Sequence, residues 1–126
     1  MAKKEFTYRG KHLEELKAMS LQEFAELLPS RQRRKIDRGF TDAEKIFLEK
    51  FRKKGTVETH CRDMLVLPEM VNKTIRIHNG KKFIELIVQP HMLGHCFGEF
   101  VLTRNRVAHS APGVGATRSS SAISVR

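Results

Sequence analysis

The sequence predicts an α+β fold: a small mixed sheet with a β-hairpin and short helices, preceded by a helical N-terminal extension and followed by an extended basic C-terminal tail. Three observations predict it. Apolar residues of the first half recur at helical spacing behind two Ser/Thr-x-x-Glu starts. An Asn79-Gly80 pair then separates two alternating apolar runs. From Val107 onward Gly, Ser, Ala and Thr dominate and hydrophobic periodicity vanishes, so this tail is expected to be disordered when isolated. The expected parts are residues 1–55 as the helical extension, 56–103 as an α/β core and 104–126 as the tail.

Each element follows from local chemistry. His12 to Met19 carries Leu13 and Leu16 at helical spacing. Ser20 with Glu23 has capping-box spacing, and Leu21, Phe24, Leu27 and Leu28 form one stripe behind it. Pro29 closes that helix or bends it at Leu28. Ser30 is placed to cap a short basic helix that ends before Gly39, a left-handed stop. Thr41 with Glu44 repeats the capping box and opens a helix to about Lys53, and residues 53–56 read as a linker. In the second half, Thr74 to His78 alternates, and Lys81 to Val88 resumes after Asn-Gly. A two-residue turn pairs His78 with Lys81, Ile77 with Lys82, Arg76 with Phe83 and Ile75 with Ile84. One face then carries Ile75, Ile77, Ile84, Leu86 and Val88. Pro90 suits the first turn of a short helix to about His95. Phe97 to Thr103 reads as a third strand.

The chain has 126 residues, enough for one modest core, with 24 Lys+Arg against 14 Asp+Glu and a net charge of +10. Its pI near 10 points to a polyanionic partner. No apolar run exceeds four residues, as in Met64 to Leu67, which is far short of a membrane-spanning helix. MAKKEF has no apolar stretch behind its lysines and does not read as a secretory signal. Two cysteines, Cys61 and Cys96, are too few for a disulfide framework, so a reducing cytosolic compartment is expected.

Enzymatic and metal chemistry find little support. His60-Cys61 and His95-Cys96 offer four zinc-type donors, but neighbours in an extended strand point to opposite faces and no CxxC or HxxxH spacing accompanies them. Cys61 beside His60, or His95 four residues before Glu99, are pairs that any basic chain with six His supplies by chance. Gly113-Val114-Gly115 lacks the preceding strand and the Lys-Ser/Thr of a phosphate-binding loop. No cofactor and no metal are expected.

The basic segments differ in kind. Along residues 45–54 the cations are interleaved with Glu44 and Glu49, as on an ordinary solvated face. Residues 30–38 instead hold Arg31, Arg33, Arg34, Lys35 and Arg38 against Asp37 alone. A helix brings Arg31, Arg34, Lys35 and Arg38 to one side, where they repel unless a polyanion neutralises them. Guanidinium groups match phosphates bidentately, which favours nucleic acid. After Glu99 no acid remains, while Arg104, Arg106, Arg118 and Arg126 do. Such a tail can order along a phosphate backbone.

The words of the second half then resemble a known family. Cys61-Arg-Asp-Met-Leu-Val-Leu-Pro-Glu-Met-Val71, Thr74-Ile-Arg-Ile-His-Asn-Gly-Lys-Lys-Phe83, Met92-Leu-Gly-His-Cys-Phe-Gly-Glu-Phe100 and Thr103-Arg104 resemble the small-subunit ribosomal protein S-nineteen family. Phe6-Thr-Tyr-Arg-Gly10 and Arg31-Gln-Arg-Arg-Lys-Ile36 resemble the N-terminal extension of its archaeal and eukaryotic members, and the ending Ala111 to Ser120 resembles the archaeal ones. The resemblance implies a structural role in the head of the small ribosomal subunit, in the cytoplasm. It implies ribosomal RNA as partner, a neighbouring protein of the S-thirteen family, and a tail reaching toward the tRNA-binding region. It places His78, Asn79, Lys81 and Lys82 at the family's hairpin tip, Gly94, His95, Gly98 and Glu99 in its second motif, and Thr103, Arg104 and His109 at the start of its tail. Charge and expected exposure then select the RNA-binding set: Arg31, Arg33, Arg34, Lys35, Arg38, Arg62, Lys73, His78, Asn79, Lys81, Lys82, His95, Thr103, Arg104, Arg106, His109 and Arg118. Gly94 and Gly98 serve backbone geometry. The competing reading is a free single-stranded RNA or DNA binder, which usually presents stacking aromatics on a sheet face. The expected register leaves Phe83 as the one such ring on the hairpin, across from Arg76.

Overall fold

A computed structural model describes residues 5–106 and 113. Nine helices and strands occur among the described residues. They are β1 (Thr7–Tyr8), β2 (Lys11–His12), α1 (Leu13–Ala18), α2 (Leu21–Leu27), α3 (Ser30–Arg38), α4 (Asp42–Lys54), β3 (Val57–Thr59), β4 (Thr74–His78) and β5 (Phe83–Ile87). Three 3-10 turns follow Leu67, Gln89 and Cys96. This is the expected α+β arrangement.

Both capping boxes form. Ser20 Oγ accepts from Glu23 N–H while the Glu23 carboxylate accepts from Ser20 N–H. Thr41 and Glu44 do the same at the start of α4. The stripe of α2 is narrower than expected: Phe24, Ala25 and Leu28 are buried while Leu21 lies at its exposed edge. Ser30 does not cap α3. It occupies the first helical position behind Pro29, and Gly39 ends the helix by donating to Ile36 O. One small hairpin is unforeseen. Arg9 and Gly10, both at positive φ, turn β1 into β2. It sets the Tyr8 ring 6.3 Å from Phe24, over Gly94. A Cβ on Gly94 would meet Leu28 Cδ2 at 2.7 Å and Tyr8 Oη at 3.1 Å.

The sheet order is β3-β4-β5, with β4 antiparallel to β5 and parallel to β3. The third strand is therefore Val57–Thr59, not Phe97 to Thr103. Phe97, Phe100 and Val101 are spaced as on a helix, and Phe97–Glu99 forms a 3-10 turn with Phe100 N–H donating to Phe97 O. The segment after Pro90 is likewise a single 3-10 turn, Pro90–Met92.

The hairpin register also differs from expectation, by two residues. His78 pairs with Phe83, Ile77 with Ile84, Arg76 with Glu85 and Ile75 with Leu86. The loop is four residues long because the Asn79 side chain builds it: Oδ1 accepts from Lys81 N–H at 2.9 Å and from Lys82 N–H at 2.8 Å. An even shift preserves side-chain parity, so Ile75, Ile77, Ile84, Leu86 and Val88 still share the inner face.

One hydrophobic cluster joins Leu16, Phe24, Ile36, Phe47 and Phe51 of the helices to Met64, Ile75, Ile77, Leu93 and Phe97 of the second half. Within it Glu44 takes a core position of α4, on the stripe with Phe47, Leu48 and Phe51. Its carboxylate accepts from Lys35 Nζ at 2.6 Å and from Thr41 N–H at 2.9 Å. Burial raises its pKa, but these contacts outweigh burial and hold it below the ordinary glutamate range.

Two predictions follow from this packing. A depressed native pKa contributes stability above the unfolded value, about 4.3, that is lost as pH falls through the lower native value. Unfolding free energy should therefore decline on acidification through that window, and Glu44→Gln should flatten the decline in urea titrations repeated at each pH. Gly80 sits at φ +96° with open space around it, so Gly80→Val meets strain and not a clash. It should destabilise by about 1–2 kcal/mol and displace amide resonances from Ile75 to Val88. Unchanged resonances would contradict the four-residue loop.

Candidate nucleic-acid interface

Two basic grooves flank one short segment, Arg62-Asp63. The first is lined by Arg31, Arg34, Lys35 and Arg38 of α3, facing Asp63 and Cys96. All three arginines are exposed, and no acidic partner lies within ion-pair distance of them among the described residues. Arg33 is also exposed but stands outside this groove. Lys35 plays another part: its ammonium bridges the Glu44 carboxylate and the Asp63 carbonyl. It ties α3 to α4 and to the segment before Met64.

The second groove is formed by Asn79, Gly80, Lys81 and Lys82 of the hairpin tip together with Thr103 and Asn105. Lys81, Lys82, Thr103, Arg104 and Arg106 are exposed. Asn79 is buried, and its carbonyl holds the turn. His78 Nδ1 accepts from Gly80 N–H at 3.1 Å, which leaves the proton on Nε2.

Arg62 connects these pieces. Its guanidinium donates to His78 O at 3.0 Å, Gly98 O at 3.0 Å and Val101 O at 2.5 Å. A planar fork with fixed donor directions suits three convergent carbonyls. Arg62 thus positions the tip and not a phosphate, a role that charge in the sequence could not reveal. Lys73 lies apart from both grooves, its ammonium 4.7 Å from the centre of the Phe51 ring. His95 is exposed, bonded through Nδ1 to the Glu99 carboxylate and packed edge-on against Phe100. His109 and Arg118 lie outside the described residues.

The outer face of the sheet holds what sequence reasoning missed. The β3–β4 register continues to set His60 beside His78, and β5 adds Phe83. The centroids are 4.4 Å apart for His60–His78, 4.9 Å for His78–Phe83 and 5.2 Å for His60–Phe83. Phe83 therefore lies across from His78, and Arg76 instead pairs with Glu58 and stands 3.5 Å from Glu85.

No group of three or more His, Cys, Asp or Glu suited to a metal occurs among the described residues. Burial and the nearby Glu99 push the Cys96 thiol up, the opposite of what activates a nucleophile. Among the described residues no helix is long and apolar enough to cross a membrane.

A small α+β scaffold with unpaired cations along two grooves, in which the one buried acid among the described residues, Glu44, is held by Lys35, has the charge layout of a protein that sits on a polyphosphate backbone. Comparison with known proteins makes the class specific. The profile of ribosomal protein S19 matches residues 33–109. The small ribosomal subunit protein uS19 of Methanococcoides burtonii is 49% identical over 125 residues, covering 98% of this chain and 91% of that protein. The chain belongs to the ribosomal protein S19 family. It is a small-subunit ribosomal protein, and binding of ribosomal RNA is general to that family.

Arg62→Met should destabilise the fold by about 2–4 kcal/mol, because three carbonyls lose a charged donor. Arg62→Lys should recover only part of this, since an ammonium lacks the fork. Denaturant midpoints measure both, and an unperturbed Arg62→Met midpoint would contradict the positioning role.

Proposed function

We propose that this protein binds ribosomal RNA through the α3 groove and the hairpin-tip groove together, as a structural and non-catalytic component of the subunit head. The observation that carries the reading is the sorting of cations. Arg31, Arg34, Arg38, Lys81, Lys82, Arg104 and Arg106 are exposed and unpaired among the described residues, while Lys35 and Arg62 are engaged in holding the grooves together. Unpaired guanidinium and ammonium groups on one scaffold repel until phosphates neutralise them. In this reading Arg33 and Lys73 add peripheral charge, Thr103 donates to a phosphate, and His95 contacts RNA beside its Glu99 bond.

The finer placement rests on the family resemblance. In it a protein of the S-thirteen family is the neighbour in the head, and residues 104–126, with His109 and Arg118, extend toward the tRNA-binding region. The division at residues 55 and 103 is one of role: helical extension, RNA-binding core and tail. A free single-stranded binder is the alternative, and the match to a ribosomal protein along nearly the whole chain weighs against it.

Salt tests the proposal. Neutralising about six to ten phosphates should make affinity for small-subunit ribosomal RNA fall by about three to five decades between low and above-physiological salt. Arg31→Ala with Arg34→Ala should weaken binding and lower the log–log salt slope by about 1.4–2. A flat salt response in filter binding would refute the electrostatic reading.

A further inference from the structure

We propose that His60, His78 and Phe83 form a stacking platform for one unpaired nucleobase of RNA, with Lys81 and Lys82 holding the adjacent phosphates. This rests on the RNA-binding reading above and adds to it a specific contact of a different physical kind.

The rings come from the end of β4, the start of β5 and the residue that follows β3, and make one row along the edge of the sheet's solvent face. None of them belongs to the buried core. His60 is exposed, while His78 and Phe83 are half-buried. Rings that merely stabilise a sheet do so as cross-strand pairs. Here a third ring, His60, is added from beyond the end of β3, where it has little strand left to stabilise.

The surroundings decide the occupant. On one side lies the hairpin tip, with Lys81 and Lys82 exposed directly before Phe83. On the other side the next row reads Glu58, Arg76, Glu85, in which both acids flank one arginine. That row offers an incoming phosphate no free cation and two carboxylates. A polyanion is therefore held at the tip side, and only an uncharged, flat group is accepted over the rings. A nucleobase beside its own phosphate satisfies both conditions. Stacking on aromatic rings and backbone capture by lysine are the two standard components of single-strand recognition. An acidic peptide would satisfy neither the flat shape nor the charge division.

The test uses the full chain and a short single-stranded RNA carrying one 2-aminopurine, alongside the same oligomer with an abasic site there. Wild-type protein should quench the 2-aminopurine fluorescence and bind the intact oligomer more tightly than the abasic one. His60→Ala and Phe83→Leu should weaken binding of the intact oligomer by about 5- to 150-fold while leaving abasic binding and the salt slope unchanged. His60→Tyr should retain affinity. Thermal melts of each variant separate a loss of stacking from a loss of fold. If Phe83→Leu fails to fold, His60→Ala alone decides. Equal losses on intact and abasic RNA, or no loss from His60→Ala, overturn the platform while leaving the basic grooves standing. Absence of salt-dependent binding of wild-type protein to small-subunit ribosomal RNA instead overturns the RNA-binding reading itself.

Discussion

Three carbonyls converge on the guanidinium of Arg62, and the geometry of the second half depends on it. His78 O closes β4, Gly98 O lies in the 3-10 turn Phe97–Glu99, and Val101 O follows that turn. The return contact is equally close: Gly98 N–H donates to Arg62 O at 2.8 Å, and a Cβ on residue 98 would stand 3.3 Å from that oxygen. Hairpin, turn and tail exit are thereby fixed to one residue. The residue after it, Asp63, gives its carbonyl to Lys35, which carries the constraint into α3. Both basic grooves are thus indexed to one two-residue turn, whose side chain and backbone carbonyl are held by hydrogen bonds to the elements on either side.

This explains why net charge alone says little about the interface. Buried or convergent cations satisfy carbonyls and a buried carboxylate, and removing one leaves polar groups without partners, a cost larger than the bond itself contributed. Exposed cations do the reverse. They destabilise each other slightly in the free protein and gain only when phosphates approach. Lys35 and Arg34 are neighbours in sequence with similar charge, yet one belongs to each group, because Lys35 lies over Glu44.

Legibility in the sequence follows the same division between local and distant causes. The capping boxes at Ser20 and Thr41 were readable because donor and acceptor lie three residues apart. The inner face of the hairpin was readable because alternation survives an even register shift. The loop length was not, since Asn79 uses its side chain to imitate a turn that its backbone was expected to make. Val57–Thr59 escaped notice because three residues carry too little pattern, and its pairing partner is a parallel strand beyond a crossover. At the candidate interface, the α3 groove was visible as a helical charge pattern. The structural roles of Arg62 and Asn79, and the His60–His78–Phe83 row, all required contacts across many residues of chain. Clustered charge is written locally, whereas convergence of three strands is not.

The proposed interface joins two kinds of recognition at the hairpin tip, and they respond differently to solution conditions. In the proposed interface, phosphate contacts by Lys81, Lys82, Arg104 and Arg106 would be screened over about 8–10 Å at physiological salt and would tolerate displacement along a backbone. They attract RNA without selecting a register. A turn held by Asn79 and His78, on a strand end held by Arg62, has no comparable freedom. Contacts made by that rigid surface require the RNA to present one arrangement, and salt weakens them little. The diffuse charges supply approach, and the hydrogen-bonded scaffold beneath them fixes position. A small basic protein needs both properties to occupy a single place within a large folded RNA whose surface is phosphate throughout.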